Sequence, residues 1–457
     1  MSARLKLMAL LAGAGLAAIA AALSPAAAAE RPAGLDKIDH IIVIYLENRS
    51  FDNLFAHFPR ARGLARARNA APQLDPSGQP YSRLPQPIDT TLKPPAADPR
   101  FPADLRNAPF PIDKYVPIDQ KTGDLVHRFY QEQQQIDGGK MDKFVLYSDA
   151  AGLVMGHYDA RRTKLWGYAR RYVLADNFFH AAFGGSFLNH FWLVCACTPH
   201  YPNAPAALVA KLDKHGLLAK DGAVTPDGEA VNTIQSAYQP HSPSIKDQSL
   251  LLPPQEGIVT IGDQLSAQGV SWAWYSGGFD DAVAGHPDPL FQFHHQPLAY
   301  LKQFADGTAA KKEHLKDEKD FLAAIEAGKL PAVVFWKPLG AENEHPGYAD
   351  IVSGDRKVAD VLTKLRKSPL WKGSAVIITY DENGGFWDHV APPKLDKWGP
   401  GARVPTIIVS PFAKRAYVDH TLYDTTSILK FIQLRYRLAP LGDRESRVGD
   451  LTNAFRF

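Results

Sequence analysis

Two apolar runs, far apart in the chain, set the frame for the rest of the sequence. Ile41-Ile42-Val43-Ile44-Tyr45-Leu46 and Ala375-Val376-Ile377-Ile378-Thr379-Tyr380 are continuous rather than alternating. Such runs predict strands buried on both faces, as in a parallel sheet. Residues 172–176, 271–275, 332–336 and 405–410 predict further strands. Helical spacing marks residues 355–370, and it places His127, Tyr130 and Gln134 on one face of a helix between Gly123 and Lys140. Residues 257–269 read as Ile-Val-Thr-Ile followed by an amphipathic helix. This alternation predicts a three-layer α/β architecture.

Two stretches interrupt the pattern. Residues from about 56 to 122 carry twelve prolines between Pro72 and Pro117 with few apolar runs, which predicts a long ordered loop or small cap without its own core. Residues 202–255 read as a second insertion, in the form of a hairpin. The expectation is therefore one catalytic domain over 30–457 with two insertions.

Composition changes this picture little. At 457 residues with 45% hydrophobic and 22% charged positions, the chain has the make-up of a globular enzyme. The formal net charge is +3, and Arg4 and Lys6 supply two of those charges, so there is no case for non-specific nucleic-acid binding. Nothing points to an obligate protein partner. Arg4 and Lys6, the apolar stretch Leu7–Leu23, and the small residues Ala26–Ala29 predict a secretory leader over 1–29, with a retained membrane anchor as the alternative. The expected location is periplasmic or extracellular. The two cysteines, Cys195 and Cys197, are expected as buried free thiols, because extended i, i+2 side chains diverge too far for an easy bridge.

The candidate chemistry lies where the two long runs end. The first runs into Glu47-Asn48-Arg49-Ser50-Phe51-Asp52 and the second into Asp381-Glu382-Asn383-Gly384-Gly385. Ligands bind outside the carboxyl ends of parallel strands. Glu47, Asn48, Asp381 and Glu382 are expected to meet there as a hard, oxygen-rich site for one divalent cation of undetermined identity. Taken singly, either cluster could be a solvated strand end or a helix cap. Ser186, after Gly184-Gly185, is the candidate nucleophile, and a plain helix cap is its other reading. Asn189 and His190 follow it. Among sixteen histidines, the pair His294-His295, together with His345 and His127, stand near turns. Imidazole can hold phosphate oxygens or protonate a leaving alkoxide.

These motifs resemble the bacterial phosphoesterase family that contains acid phosphatase A and the phosphatidylcholine-hydrolysing phospholipases C. The matching pieces are Glu47–Asp52, Gly138-Gly139-Lys140-Met141-Asp142, Asp176-Asn177-Phe178-Phe179, Ser186-Phe187-Leu188-Asn189 and Tyr380–His389. The resemblance implies an alkaline-phosphatase-like α/β/α sandwich. It also implies one metal held by Glu47, Asn48, Asp381 and Glu382, with Ser186 forming a phosphoseryl intermediate. His127, Asn189, His294, His295 and His345 would line the phosphate pocket. Two departures are Gly185, where many relatives have proline, and His190, where many have arginine.

A small phosphorylated substrate is the expected partner, with transient phospholipid contact as an accessory. The preferred activity is phosphomonoester hydrolysis, with protonated histidines offsetting the dianion. Phospholipase C action is the alternative; the chain ends soon after the family core, where large phospholipases carry extra domains. A non-catalytic binding protein would lack the nucleophile or a metal ligand. A sulfatase would need a modified-residue motif that Cys195-Ala196-Cys197 does not supply.

Overall fold

The computed structural model describes residues 31–457, so the expected leader lies outside the described residues. The central sheet has eight strands: β1 (His40–Leu46), β2 (Val173–Ala175), β3 (Trp272–Ser276), β4 (Leu315–Asp317), β5 (Val333–Lys337), β6 (Ser374–Tyr380), β7 (Thr406–Val409) and β8 (Tyr417–Asp419). Their order across the sheet is β4-β3-β5-β1-β6-β7-β2-β8. β7 runs antiparallel to both neighbours, and the other pairs are parallel. Every residue of β3, β5, β6 and β7 is buried, as continuous apolar runs require.

Register positions the site. β1 pairs with β6 from His40 opposite Ser374 to Leu46 opposite Tyr380. Glu47 and Asp381 therefore leave the sheet side by side. On the other flank β1 pairs with β5, whose last residue is Lys337.

The helices pack in two groups. Helices α1 (Lys164–Arg171), α4 (Glu318–Glu326) and α5 (Ile351–Lys367) form one layer. Helices α2 (Ser186–Cys195), α3 (Ile261–Ala267) and α6 (Thr426–Tyr436) form the other. The result is the expected α/β/α sandwich. α5 starts at Ile351, earlier than its apolar spacing alone shows, because the Asp350 carboxylate caps it by accepting from Ser353 N at 2.8 Å. α2 is buried along its whole length, as a helix apolar on nearly every side must be.

Two local expectations fail. The segment at 123–128 is not helical; the helix there spans Phe129–Ile136, and His127 precedes it in irregular chain. The helix expected within 257–269 is α3, and Thr260 closes a capping box with Asp263 at its start. Cys195 and Cys197 form a disulfide, with Cα atoms 5.1 Å apart. Ala196 caps α2 in the left-handed conformation at φ 49°, so the chain between the cysteines is turned rather than extended.

The 56–122 stretch is mostly irregular, yet it buries Leu84, Phe101, Ile112 and Val116 in the common core. The 202–255 stretch contains an antiparallel hairpin of Lys211–Leu212 with Leu218–Lys220. Among the described residues no helix is long and apolar enough to cross a membrane.

Candidate active site

Ser186 is the first residue of α2, and its hydroxyl reaches the carboxyl edge of the sheet. Its Oγ lies 3.1 Å from Glu47 Oε2 and 3.4 Å from Asn48 Oδ1. The turn that presents it needs both glycines. Gly184 sits at φ 85°, and a Cβ there would collide with the backbone of Phe129; a Cβ on Gly185 would lie 2.8 Å from His127 O.

Two side chains behind the turn hold it. Asn189 accepts from Ala182 N at 3.0 Å and donates to the carbonyls of Ala182 (2.9 Å) and Gly184 (3.2 Å). Its amide is thus spent on the turn rather than offered to the cavity, which corrects its expected place in the phosphate pocket. Glu132, buried on the Phe129–Ile136 helix, accepts from Gly184 N at 2.6 Å. Sequence reasoning missed Glu132; a carboxylate on a helix face carries no signal until the turn packs against it.

The expected oxygen ligands are linked by hydrogen bonds: Ser186 Oγ reaches Glu47 and Asn48, and Asp381 reaches Asn48 and Glu382 through backbone N–H groups. Asp381 Oδ1 accepts from Asn48 N at 3.0 Å and from Glu382 N at 2.8 Å. Asn48 adopts φ 64°, a left-handed conformation that asparagine tolerates better than most residues. Asp381 Oδ2 and Glu382 Oε1 are buried without a hydrogen-bond partner. Native proteins rarely leave such atoms unpaired. Burial, reinforced by the Asp381 charge, pushes the Glu382 carboxyl well above the usual range. Burial would raise Asp381 too, but the Lys337 ammonium, His190, the Ser186 hydroxyl and the Asn48 N–H together outweigh it and hold Asp381 low. Three carboxylates facing one lysine leave an anionic excess, and the orphaned oxygens of Asp381 and Glu382 are free to meet a divalent cation. The residues present fit such an ion.

Lys337 is the second residue that the sequence did not reveal. Its fully buried Nζ pairs with Glu47 Oε1, and burial pushes its pKa down to about 7. It directly follows the apolar run 332–336, where its charge gives no sign of burial. Only its position beside β1 turns it inward.

The histidines surround the same hydroxyl. His294, His345 and His127 line a cavity of about 360 Å³ with Ser186, Arg128, Asp124 and Asn232. His295 lies deeper, with Nε2 3.2 Å from Glu47 Oε2, and its ring stacks parallel on His190 at 4.8 Å. His127 Nε2 is 3.2 Å from Asn48 Nδ2. Burial holds His294 at about 3 and His345 at about 4, and pushes His295 well below its usual range. The imidazoles are therefore neutral in the ligand-free protein. Neutral rings differ from the protonated ones expected from sequence, and His345 spends its Nδ1–H on Pro346 O at 2.5 Å, which leaves a lone pair on Nε2.

A further buried network joins the two motifs from below. Arg403 donates from Nε to Asp388 Oδ1 (2.8 Å) and from Nη2 to Asp388 Oδ2 (3.1 Å) and Asp52 Oδ1 (3.4 Å). His389 Nδ1 meets Asp52 Oδ2 at 2.6 Å. Asp52 follows Glu47–Ser50 and Asp388 follows Asp381–Gly385, so the network ties the two ligand-bearing loops together. Arg403→Met is expected to destabilise the protein by about 3–5 kcal/mol, since it strands two buried carboxylates. Chemical denaturation measures this; a loss within 1 kcal/mol would mean that the network carries no weight.

A serine hydroxyl at a helix start, facing buried carboxylates at the carboxyl edge of an α/β sheet, is an arrangement suited to hydrolysis of phosphoric esters. The chain belongs to the phosphoesterase family, whose model matches residues 38–439. It is 24% identical to phospholipase C B of Mycobacterium tuberculosis over 93% of this chain and 79% of that protein. It is 25% identical to the non-hemolytic phospholipase C of Pseudomonas aeruginosa over 93% of this chain and 58% of that protein. Among solved structures, a protein of the alkaline phosphatase superfamily from Vibrio parahaemolyticus aligns at a TM-score of 0.37 and 11% identity, covering 74% of this chain and 73% of that one.

Proposed function

We propose that this protein is an exported, metal-dependent phosphatase that hydrolyses phosphate monoesters through a phosphoserine intermediate. The observation that carries the reading is Ser186 Oγ, poised 3.1 Å from Glu47 Oε2 and beside two orphaned carboxylate oxygens. Residues 30–457 are taken as one catalytic unit, because both insertions bury side chains in the common core.

Glu47, Asn48, Asp381 and Glu382 would hold the cation, which would favour the alkoxide of Ser186 and offset phosphoryl charge. Ser186 Oγ attacks phosphorus at the open end of the cavity, and the ester oxygen leaves toward the histidines. The N–H group of His294 donates to a non-bridging or departing oxygen, while His345, whose Nδ1–H is held by Pro346 O, faces the substrate as an acceptor at Nε2. Water then releases phosphate from the serine.

The curated relatives are named phospholipases C, which favours diester cleavage as a second reading. The cavity wall weighs against a choline headgroup. Quaternary ammonium ions are recognised by faces of Trp, Tyr or Phe, and apart from histidines no aromatic ring lines this cavity. Turnover of a nitrophenyl monoester beside a phosphocholine diester tests the choice. His294→Ala is expected to lower monoester turnover by roughly 10- to 100-fold, within the range of a single positioned donor or acid. The diester, with one fewer charged oxygen, should lose less. Equal losses on both substrates, or faster diester turnover by the unaltered protein, would shift the assignment to phospholipase C.

A further inference from the structure

Beside the oxygen-rich position lies a second set of donor atoms of different chemistry. Glu47 Oε2, His190 and His295 each offer an atom within 4.8 Å of the others, and all three residues are buried. The Nε2 atoms of both histidines have no hydrogen-bond partner. The orientation of His190 is fixed from behind. Its Nδ1 donates to Ser186 O, one helical turn back along α2, at 2.7 Å. That bond leaves the lone pair on Nε2, the arrangement by which a histidine is prepared as a metal ligand. Lys337 occupies Oε1 of Glu47, so the carboxylate can offer only Oε2 to this side.

We propose that Glu47, His190 and His295 form a second cation position, selective for a divalent transition metal of the zinc type. Two imidazole nitrogens and one carboxylate oxygen suit zinc or cobalt, whereas the all-oxygen position beside it suits magnesium, calcium or manganese. Three protein ligands leave a coordination place free, as in sites where a metal meets a substrate or water. The two positions share Glu47, and at that residue alone the inference rests on the reading above. Neither His190 nor His295 belongs to the four expected oxygen ligands, so this position is independent of them otherwise.

The test is metal uptake, which needs no turnover. The chelator-stripped full chain is titrated with cobalt(II), and bound metal and visible absorption are followed together. Two equivalents are expected. One of them should show the intense bands of a nitrogen-ligated ion of low coordination number. His295→Gln and His190→Gln should each remove that equivalent and its bands while the other remains. Asp381→Asn should remove the other and leave the bands in place. Thermal unfolding of each stripped variant checks that the fold survives, and two separate histidine variants guard against one of them misfolding. A single equivalent in the unaltered protein overturns the proposal, as do two equivalents and bands that survive both histidine replacements. A protein that takes up two equivalents but turns over no phosphoester would refute the functional reading and leave the metal position standing.

Discussion

Ser186→Ala is expected to lower phosphomonoester turnover by roughly 10⁴-fold or more, as loss of a covalent nucleophile does elsewhere. The fold should barely notice. The hydroxyl bonds only to Glu47 and Asn48 and does not cap its own helix, whose start is held by Asn189 and Glu132. A stability change within about 1 kcal/mol is expected, the net worth of an ordinary hydrogen bond. Metal uptake should persist, because all four oxygen ligands remain. The unaltered protein, quenched in acid during turnover, should carry one phosphate on the peptide containing Ser186. Near-normal turnover by the alanine variant would rule out the covalent route and point to direct attack by water.

Much of this arrangement can be read from the chain because it lies at the ends of strands. A continuous apolar run declares a buried strand, and the residue after it must face the carboxyl edge. Leu46 paired with Tyr380 then brings Glu47 beside Asp381 without further information. The glycines before Ser186 announce a tight turn for the same kind of local reason. What the sequence hides is chosen by packing. Lys337 turns inward only because β5 lies against β1, and Glu132 matters only because the Gly184 turn settles on its helix. Asn189 sits in the family motif, but whether its amide faces substrate or backbone depends on the turn's three-dimensional path. The disulfide was missed because one residue, Ala196, leaves the extended conformation. The protonation of the histidines was misjudged because their burial is a property of the folded cavity and not of their neighbours in sequence.

Asp381→Asn should produce the other large effect, and its signature is a stability loss that appears only with a cation. The carboxylate oxygen Oδ1 accepts from Asn48 N and Glu382 N, and an amide oxygen can accept the same two bonds. What changes is the charge at Oδ2, which is buried and has no partner. Without a cation, that charge sits against Glu382 and contributes, after burial itself, to forcing the Glu382 carboxyl upward. Removing it relieves a like-charge contact but also forfeits the attraction of Lys337 that helps hold Asp381 low, so the chelator-stripped variant should melt close to the stripped unaltered protein. With a cation the two separate. The unaltered protein gains stability in proportion to its affinity for the metal, and the variant, one ligand charge short, gains much less. Turnover should fall with it by roughly 10²–10⁴-fold, the loss of several kcal/mol of charge stabilisation at the reacting phosphate. Melting curves of both proteins, stripped and reloaded with magnesium, manganese or zinc in turn, test this. If the variant melts well below the unaltered protein in both states, Asp381 is a structural carboxylate and the cation lies elsewhere.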